Sequence, residues 1–196
     1  MNSGFQVNFI GGKMGYRLAH LQGRNELLIK AIGWKKNSAL QVFDVTAGFG
    51  QDAFLLAAMG CHVTLFERHP TVAALLKDGL ARATLSPLAP IVERMQLIET
   101  CAIAYLHNTA LESSPDVIYC DPMFEPKAKT AAAKKEMQLL KTLVGQDEDA
   151  TILVQQALQV AQKRVVVKRA LHAPMLVDNP SHVFKGASSR FDIYIV

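Results

Sequence analysis

Two short stretches of the chain carry residue types whose spacing suits chemistry. The first is Asp44-Val-Thr-Ala-Gly48-Phe-Gly50-Gln51-Asp52. A glycine turn directly after an apolar run lets backbone approach a ligand closely, and a helix that follows it offers free N–H groups. The second is Asp121-Pro122-Met123-Phe124, which closes the run Val117-Ile-Tyr-Cys120. An exocyclic amine on a nucleobase is a poor nucleophile because its lone pair is delocalised into the ring, so a catalyst must orient it. Asp121 and the carbonyl of Pro122 can accept its two N–H bonds and aim the lone pair for in-line attack. Phe124 offers a face on which a base can stack.

The glycine turn admits two ligands and one bland reading. Gly48-Phe-Gly50-Gln-Asp-Ala53 satisfies the G-x-G-x-x-A dinucleotide pattern, and Glu67 follows near where that pattern wants a ribose-binding acid. Asp44, four residues before the first glycine, would repel a pyrophosphate but suits a ligand carrying an ammonium group, such as the methionine moiety of S-adenosylmethionine. A tight turn with no ligand is the third reading. By itself, Asp-Pro after a strand is a common turn; in order with Asp44, the glycines and Glu67 it gains weight. Lys127, Lys129, Lys134 and Lys135 follow it, and Lys168-Arg169 closes a later apolar run. Lys127, Lys129, Lys168 and Arg169 are candidates for phosphate contacts at one entrance, against the alternative of a solvated helix face, which suits Lys134 and Lys135 better.

Strands alternating with helices are needed to position these residues. Gln41-Val-Phe-Asp-Val is a strand, residues 52–59 a helix, 62–67 a strand, and 70–83 a helix with proline in its first turn. Strands are expected over 95–99, 116–120 and 164–168, helices over 130–144 and 150–162, and a closing hairpin over 182–185 and 190–196. This alternation predicts an α/β fold: a mostly parallel sheet with helices on both faces, an antiparallel C-terminal hairpin, and ligands at the carboxyl ends of the strands. Residues 1–38, with Gly11-Gly12, Gly15 and Gly23, are expected as a flexible or accessory segment leading into a helix at 25–32, and 39–196 as the main domain.

The 196 residues are 50% hydrophobic and 19% charged, the composition of one folded core and not of a disordered or fibrous chain. No apolar run approaches the ~20 residues of a membrane span and the N-terminus has no secretory pattern, so a cytoplasmic protein is expected. Cys61, Cys101 and Cys120 form no Cys-x-x-Cys pair and fit reduced thiols; six scattered histidines give no basis for a metal site. The net charge of +4 is concentrated in residues 1–43, which hold six basic side chains against one acid. That asymmetry fits either a polyanion contact or ordinary solubility.

Asp44-x-x-x-Gly48-x-Gly50 resembles motif I of class I methyltransferases, and Asp121-Pro-Met-Phe124 resembles the Asp-Pro-Pro-Tyr type motif of amino-methyltransferases. The resemblance extends through Val7-Asn-Phe-Ile-Gly-Gly, Phe66-Glu-Arg-His-Pro, Asp78-Gly-Leu-Ala-Arg, Lys163-Arg-Val-Val-Val-Lys-Arg and Arg190-Phe-Asp-Ile-Tyr. Over nearly its whole length the chain is similar to the ribosomal RNA small subunit methyltransferase J family. That likeness implies a seven-stranded class I methyltransferase sheet, S-adenosylmethionine as cofactor, and methyl transfer to the N2 amine of a guanosine in 16S rRNA, free or in the small ribosomal subunit. It places Gln51-Asp52, Glu67-Arg68, Cys101-Ala102 and Asp121 at the cofactor, with Glu67 on the ribose hydroxyls, Arg68 beside the adenosine and Cys101-Ala102 by the adenine. The chain differs from the family at Gln51, where arginine is common, and at Cys101-Ala102, where two serines are common. Transfer to another amine, a nicotinamide-dependent oxidoreductase and a non-catalytic assembly factor are the alternative functions.

Overall fold

The computed structural model describes residues 5–19, 26–36, 38–108, 113–122 and 149–196. Its centre is a seven-stranded sheet of order β3-β2-β1-β4-β5-β7-β6. The strands are β1 (Gln41–Asp44), β2 (His62–Glu67), β3 (Met95–Glu99), β4 (Val117–Cys120), β5 (Arg164–Ala170), β6 (His182–Lys185) and β7 (Ser189–Ile195). The first five are parallel, and β7 runs antiparallel between β5 and β6. This is the expected mostly parallel sheet with its antiparallel C-terminal hairpin. Strand order reverses between β1 and β4, which are paired from Val42↔Val117 to Asp44↔Tyr119. The crevice above that pair is where an open α/β sheet binds its ligand.

Central strands here are apolar on both sides because helices cover both sheet faces. Period-two alternation divides their side chains between two cores. Val42, Val117, Tyr119, Val166 and Ile193 join one cluster with α1 (Gly12–Ala19), α2 (Leu27–Ala31), α3 (Gln51–Ala58) and α4 (Pro70–Thr84). Their neighbours Phe43, Ile118, Cys120, Val165, Val167 and Tyr194 join a second cluster. That second core is closed by α6 (Ala102–His107) and α7 (Ala150–Val160), while the short α5 (Ala89–Val92) leads into β3. The sequence pattern did not anticipate α1, α5 or α6; the helix expected over 130–144 lies outside the described residues. Among the described residues no helix is long and apolar enough to cross a membrane.

The stretch before β1 is built into the first core. Val7, Phe9 and Met14 are buried there, and the Phe9 ring stacks on Phe54 of α3 at 4.5 Å. Gly79 in α4 makes room for this stretch, because a Cβ at that position would lie 2.9 Å from Val7. Arg82 Nη2 donates to the Val7 carbonyl at 2.7 Å and secures the same contact. At the other end of the chain, Arg190 and Asp192 form a buried bidentate pair at 2.8 and 3.0 Å. Arg190 also donates to the carbonyls of Ala170, Leu171 and Ala173, pinning the segment after β5 to β7.

Candidate active site

The site is assembled at the carboxyl ends of β1, β2, β4 and β5. After Asp44 the chain turns over Val45–Gly50 into α3, with Gly48 at φ +53° and Gly50 at φ +70°. A Cβ on Gly50 would lie 2.8 Å from Leu76 Cδ1, so this glycine lets the turn pack against α4. Gly48 differs: among the described residues a Cβ there would meet only the Thr46 carbonyl, at 4.0 Å. Its missing side chain therefore leaves the backbone of the turn approachable.

Glu67, at the end of β2, reaches back to this turn. Its Oε2 accepts from the Gly48 N–H at 2.9 Å and its Oε1 from the His69 N–H at 2.7 Å. Burial pushes the Glu67 carboxyl up, and these two amides oppose that shift. Each oxygen retains a second lone pair, as an acceptor of paired hydroxyls requires. Asp44 is 2% exposed and accepts from the Thr46 N–H at 3.2 Å. Desolvation pushes its carboxyl up to about 8, with Asp52 and Asp121 adding to the rise and Lys168 opposing it.

Asp121 and Asp52 face each other across Lys168. The Lys168 ammonium donates to Asp52 Oδ2 and to Asp121 Oδ2, both at 2.7 Å. Tyr119 Oη donates to the same Asp52 oxygen at 2.8 Å, and Arg17 Nη1 donates to the other at 3.2 Å. Burial alone would raise the Asp52 carboxyl, but Lys168 and Arg17 hold it well below the usual carboxylate range. Burial would likewise lower Lys168, and the two aspartates keep it firmly protonated. The Asp121 N–H donates to Thr46 Oγ1 at 2.6 Å, tying the end of β4 to the turn after β1.

The expected residues are thus brought together at Asp44, Gly48, Gly50, Asp52, Glu67 and Asp121, with Pro122 beside the last. Gln51 opens α3, Cys101 caps α6 and Ala102 begins it, directly after β3. Arg68 forms a 2.6 Å ion pair with Asp149 at the start of α7. Of the four cations expected at a nucleic-acid entrance, Lys168 points inward onto two carboxylates. Arg169, the next residue and so on the opposite sheet face, is 2% exposed and donates to the Pro174 carbonyl at 3.2 and 2.9 Å. That burial removes it from an exposed phosphate-binding surface. Lys127, Lys129 and the stacking candidate Phe124 lie outside the described residues.

Three members of the site escaped the sequence reading: Arg17, Thr46 and Tyr119. Tyr119 carried one usable signal, because it lies two residues before Asp121 and strand periodicity puts both on one face. Arg17 sits in the basic N-terminal stretch, but its carboxylate partner is 35 residues away.

These residues fit S-adenosylmethionine. Asp44 offers a buried countercharge for an ammonium, Glu67 offers acceptors for ribose hydroxyls, and Gly48 leaves the turn open between them. The same buried carboxyl is unsuited to a pyrophosphate, which disfavours the dinucleotide reading. A family model for SAM-dependent methyltransferases matches residues 2–196. Ribosomal RNA small subunit methyltransferase J of Thioalkalivibrio sulfidiphilus is 47% identical over 194 residues, covering 97% of this chain and 75% of that protein. The protein of the same name from Marinobacter nauticus is 48% identical over 192 residues, covering 96% and 69%. Among solved structures, a SAM-dependent methyltransferase from Neisseria gonorrhoeae superposes with a TM-score of 0.76 at 35% identity, covering 97% of this chain and 74% of that one. The chain belongs to the ribosomal RNA small subunit methyltransferase J family and is an S-adenosylmethionine-dependent methyltransferase.

Proposed function

We propose that the chain methylates the exocyclic N2 amine of a guanosine in 16S rRNA of the small ribosomal subunit. The observation that carries this reading is the placement of Asp121-Pro122 at the end of β4, hydrogen-bonded through the Asp121 N–H to Thr46 in the turn after β1. This bond fixes the amine-orienting pair relative to the cofactor turn. When bound, the cofactor supplies an electrophilic methyl group on a sulfonium. Asp44 would hold its ammonium, Gly48 and the start of α3, with Asp52, would line its approach to the turn, and Glu67 would take its ribose hydroxyls. Arg68, Gln51, Cys101 and Ala102 complete the cofactor side in this reading.

Asp121 and the Pro122 carbonyl accept the two N–H bonds of the guanine N2 and leave its lone pair directed at the methyl. Bond formation at that nitrogen would take the methyl from the bound cofactor, whose sulfur would keep the electron pair of the broken carbon–sulfur bond. The methylated nitrogen is cationic and strongly acidic, so its proton passes to water without a strong base. Asp121 therefore acts as an orienting acceptor, a role that its ion pair with Lys168 permits. Phe124 stacks the base, and Lys127 and Lys129 contact RNA phosphates. Asp121→Ala should reduce methyl transfer by roughly 100-fold or more while cofactor binding is retained. Full activity in that variant would remove Asp121 from the reaction.

A further inference from the structure

Beside Lys168 lies a cavity of about 340 Å³ between the N-terminal helices and the β6–β7 turn. Its walls include Arg17, Leu27, Asp52, Lys168, Ala187 and Phe191. The volume falls within the range of small-ligand sites. Among the described residues, both cations in the wall are already committed to carboxylates: Arg17 to Asp52 and Glu26, Lys168 to Asp52 and Asp121. An entering phosphate would face Asp52 and Glu26 with no uncommitted countercharge among the described residues. A neutral, planar heterocycle meets no such penalty and can lie along Leu27 and Phe191.

Lys168 joins this cavity to the reacting position. An ammonium has three N–H donors in fixed tetrahedral directions. Two are used on carboxylates from separate elements, Asp52 in the first turn of α3 and Asp121 after β4. Asp52 is itself held from two further sides by Tyr119 and Arg17, so it is a fixed post against which Lys168 steadies Asp121. Among the described residues the third donor meets no acceptor, and Lys168 stands in the cavity wall, where a ligand can take it.

We propose that this cavity receives the target base and that Lys168 is a positioning residue for methyl transfer. Two of its N–H bonds hold Asp121 against Asp52, and the third meets an acceptor on the base. On the guanine reading, on which this assignment rests, that acceptor is ring N3, adjacent to the N2 amine held by Asp121.

The test compares wild type, Lys168→Met, Lys168→Arg and Ala187→Trp on small ribosomal subunits lacking the modification. It measures kcat, KM for the subunit, calorimetric cofactor affinity and Tm. Lys168→Met should lower kcat about 100-fold, far more than any loss of cofactor affinity passed on through its partner Asp52, as expected when an orienting group is displaced. Lys168→Arg should recover part of that loss, because it keeps the charge that holds Asp121. Ala187→Trp, which narrows the cavity from the turn without touching the ion pairs, should raise KM while leaving cofactor affinity intact. Unchanged kcat in Lys168→Met, or cofactor affinity falling in step with kcat, overturns the positioning role. Unchanged KM in Ala187→Trp overturns the pocket. If Tm shows that Lys168→Met does not fold, Lys168→Arg and Ala187→Trp decide on their own. Nucleoside digestion of the wild-type product tests the guanine reading separately; if another amine is labelled, the same kinetic comparison is made on that acceptor.

Discussion

Cofactor binding should be linked to release of a proton from Asp44, with a strength set by its burial. Burial pushes the Asp44 carboxyl from the ordinary 3.8 up to about 8. At pH 7 only about one Asp44 in ten is then ionised, and at pH 6 about one in a hundred. An ammonium ligand selects the ionised form, so its apparent affinity should rise about tenfold between pH 6 and pH 7. Above pH ~8 the α-amino group of the ligand itself loses its charge, which gives a maximum near pH 8. Calorimetry at pH 6.5 in buffers of different ionisation enthalpy should report close to one proton released per cofactor bound. Asp44→Asn should abolish that release and flatten the pH dependence, with lower affinity at pH 8. Constant affinity between pH 6 and 7.5, with no proton release, would refute the assignment of Asp44 as the ammonium partner.

The same carboxyl makes a signed prediction about stability without cofactor. Its folded pKa lies above its unfolded value, so the native state binds more protons between pH 3.8 and about 8. The burial penalty is absent below this window, grows through it and is complete above it. Asp44→Asn should therefore raise the Tm of the ligand-free protein at pH 9 and change it little at pH 4. Gly50→Ala should lower stability by roughly 1–2 kcal/mol for the left-handed backbone alone, with a further loss from the 2.8 Å approach to Leu76. A thermal unfolding scan checks this, and an unchanged Tm would contradict the close packing of the turn against α4. Arg190→Met should cost on the order of 3–5 kcal/mol, because it leaves Asp192 buried without its partner. Urea unfolding measures the difference, and a cost below 1 kcal/mol would show that Asp192 finds another partner.

The sequence exposed the parts of the fold whose signals are local. β1, β2, β4 and β5 are short apolar runs bounded by turns, and burial on both faces of a parallel sheet selects such runs. Asp44, the two glycines, Glu67 and Asp121 were visible because each stands at the end of one of these strands. The N-terminal stretch gave the opposite impression, since its glycines lower helix propensity and suggested a flexible lead-in. Its order comes from tertiary contacts, chiefly Phe9 on Phe54 and Val7 against Gly79. Lys168 and Arg169 look alike in a basic pair, yet strand alternation sends them to opposite faces. Nothing local marks Lys168 for Asp121 and Asp52, which lie 47 and 116 residues away in sequence.

Methyl transfer to guanine N2 in small-subunit rRNA is the activity on which every residue role above depends. It is tested most directly by incubating the protein with labelled S-adenosylmethionine and either small subunits or naked 16S rRNA, both lacking the modification. Digestion of the product to nucleosides then identifies the acceptor. The label should appear as N2-methylguanosine in at least one of the two substrates and be lost in Asp121→Ala. Label on any other nucleoside, or none from a protein that binds the cofactor, would contradict it.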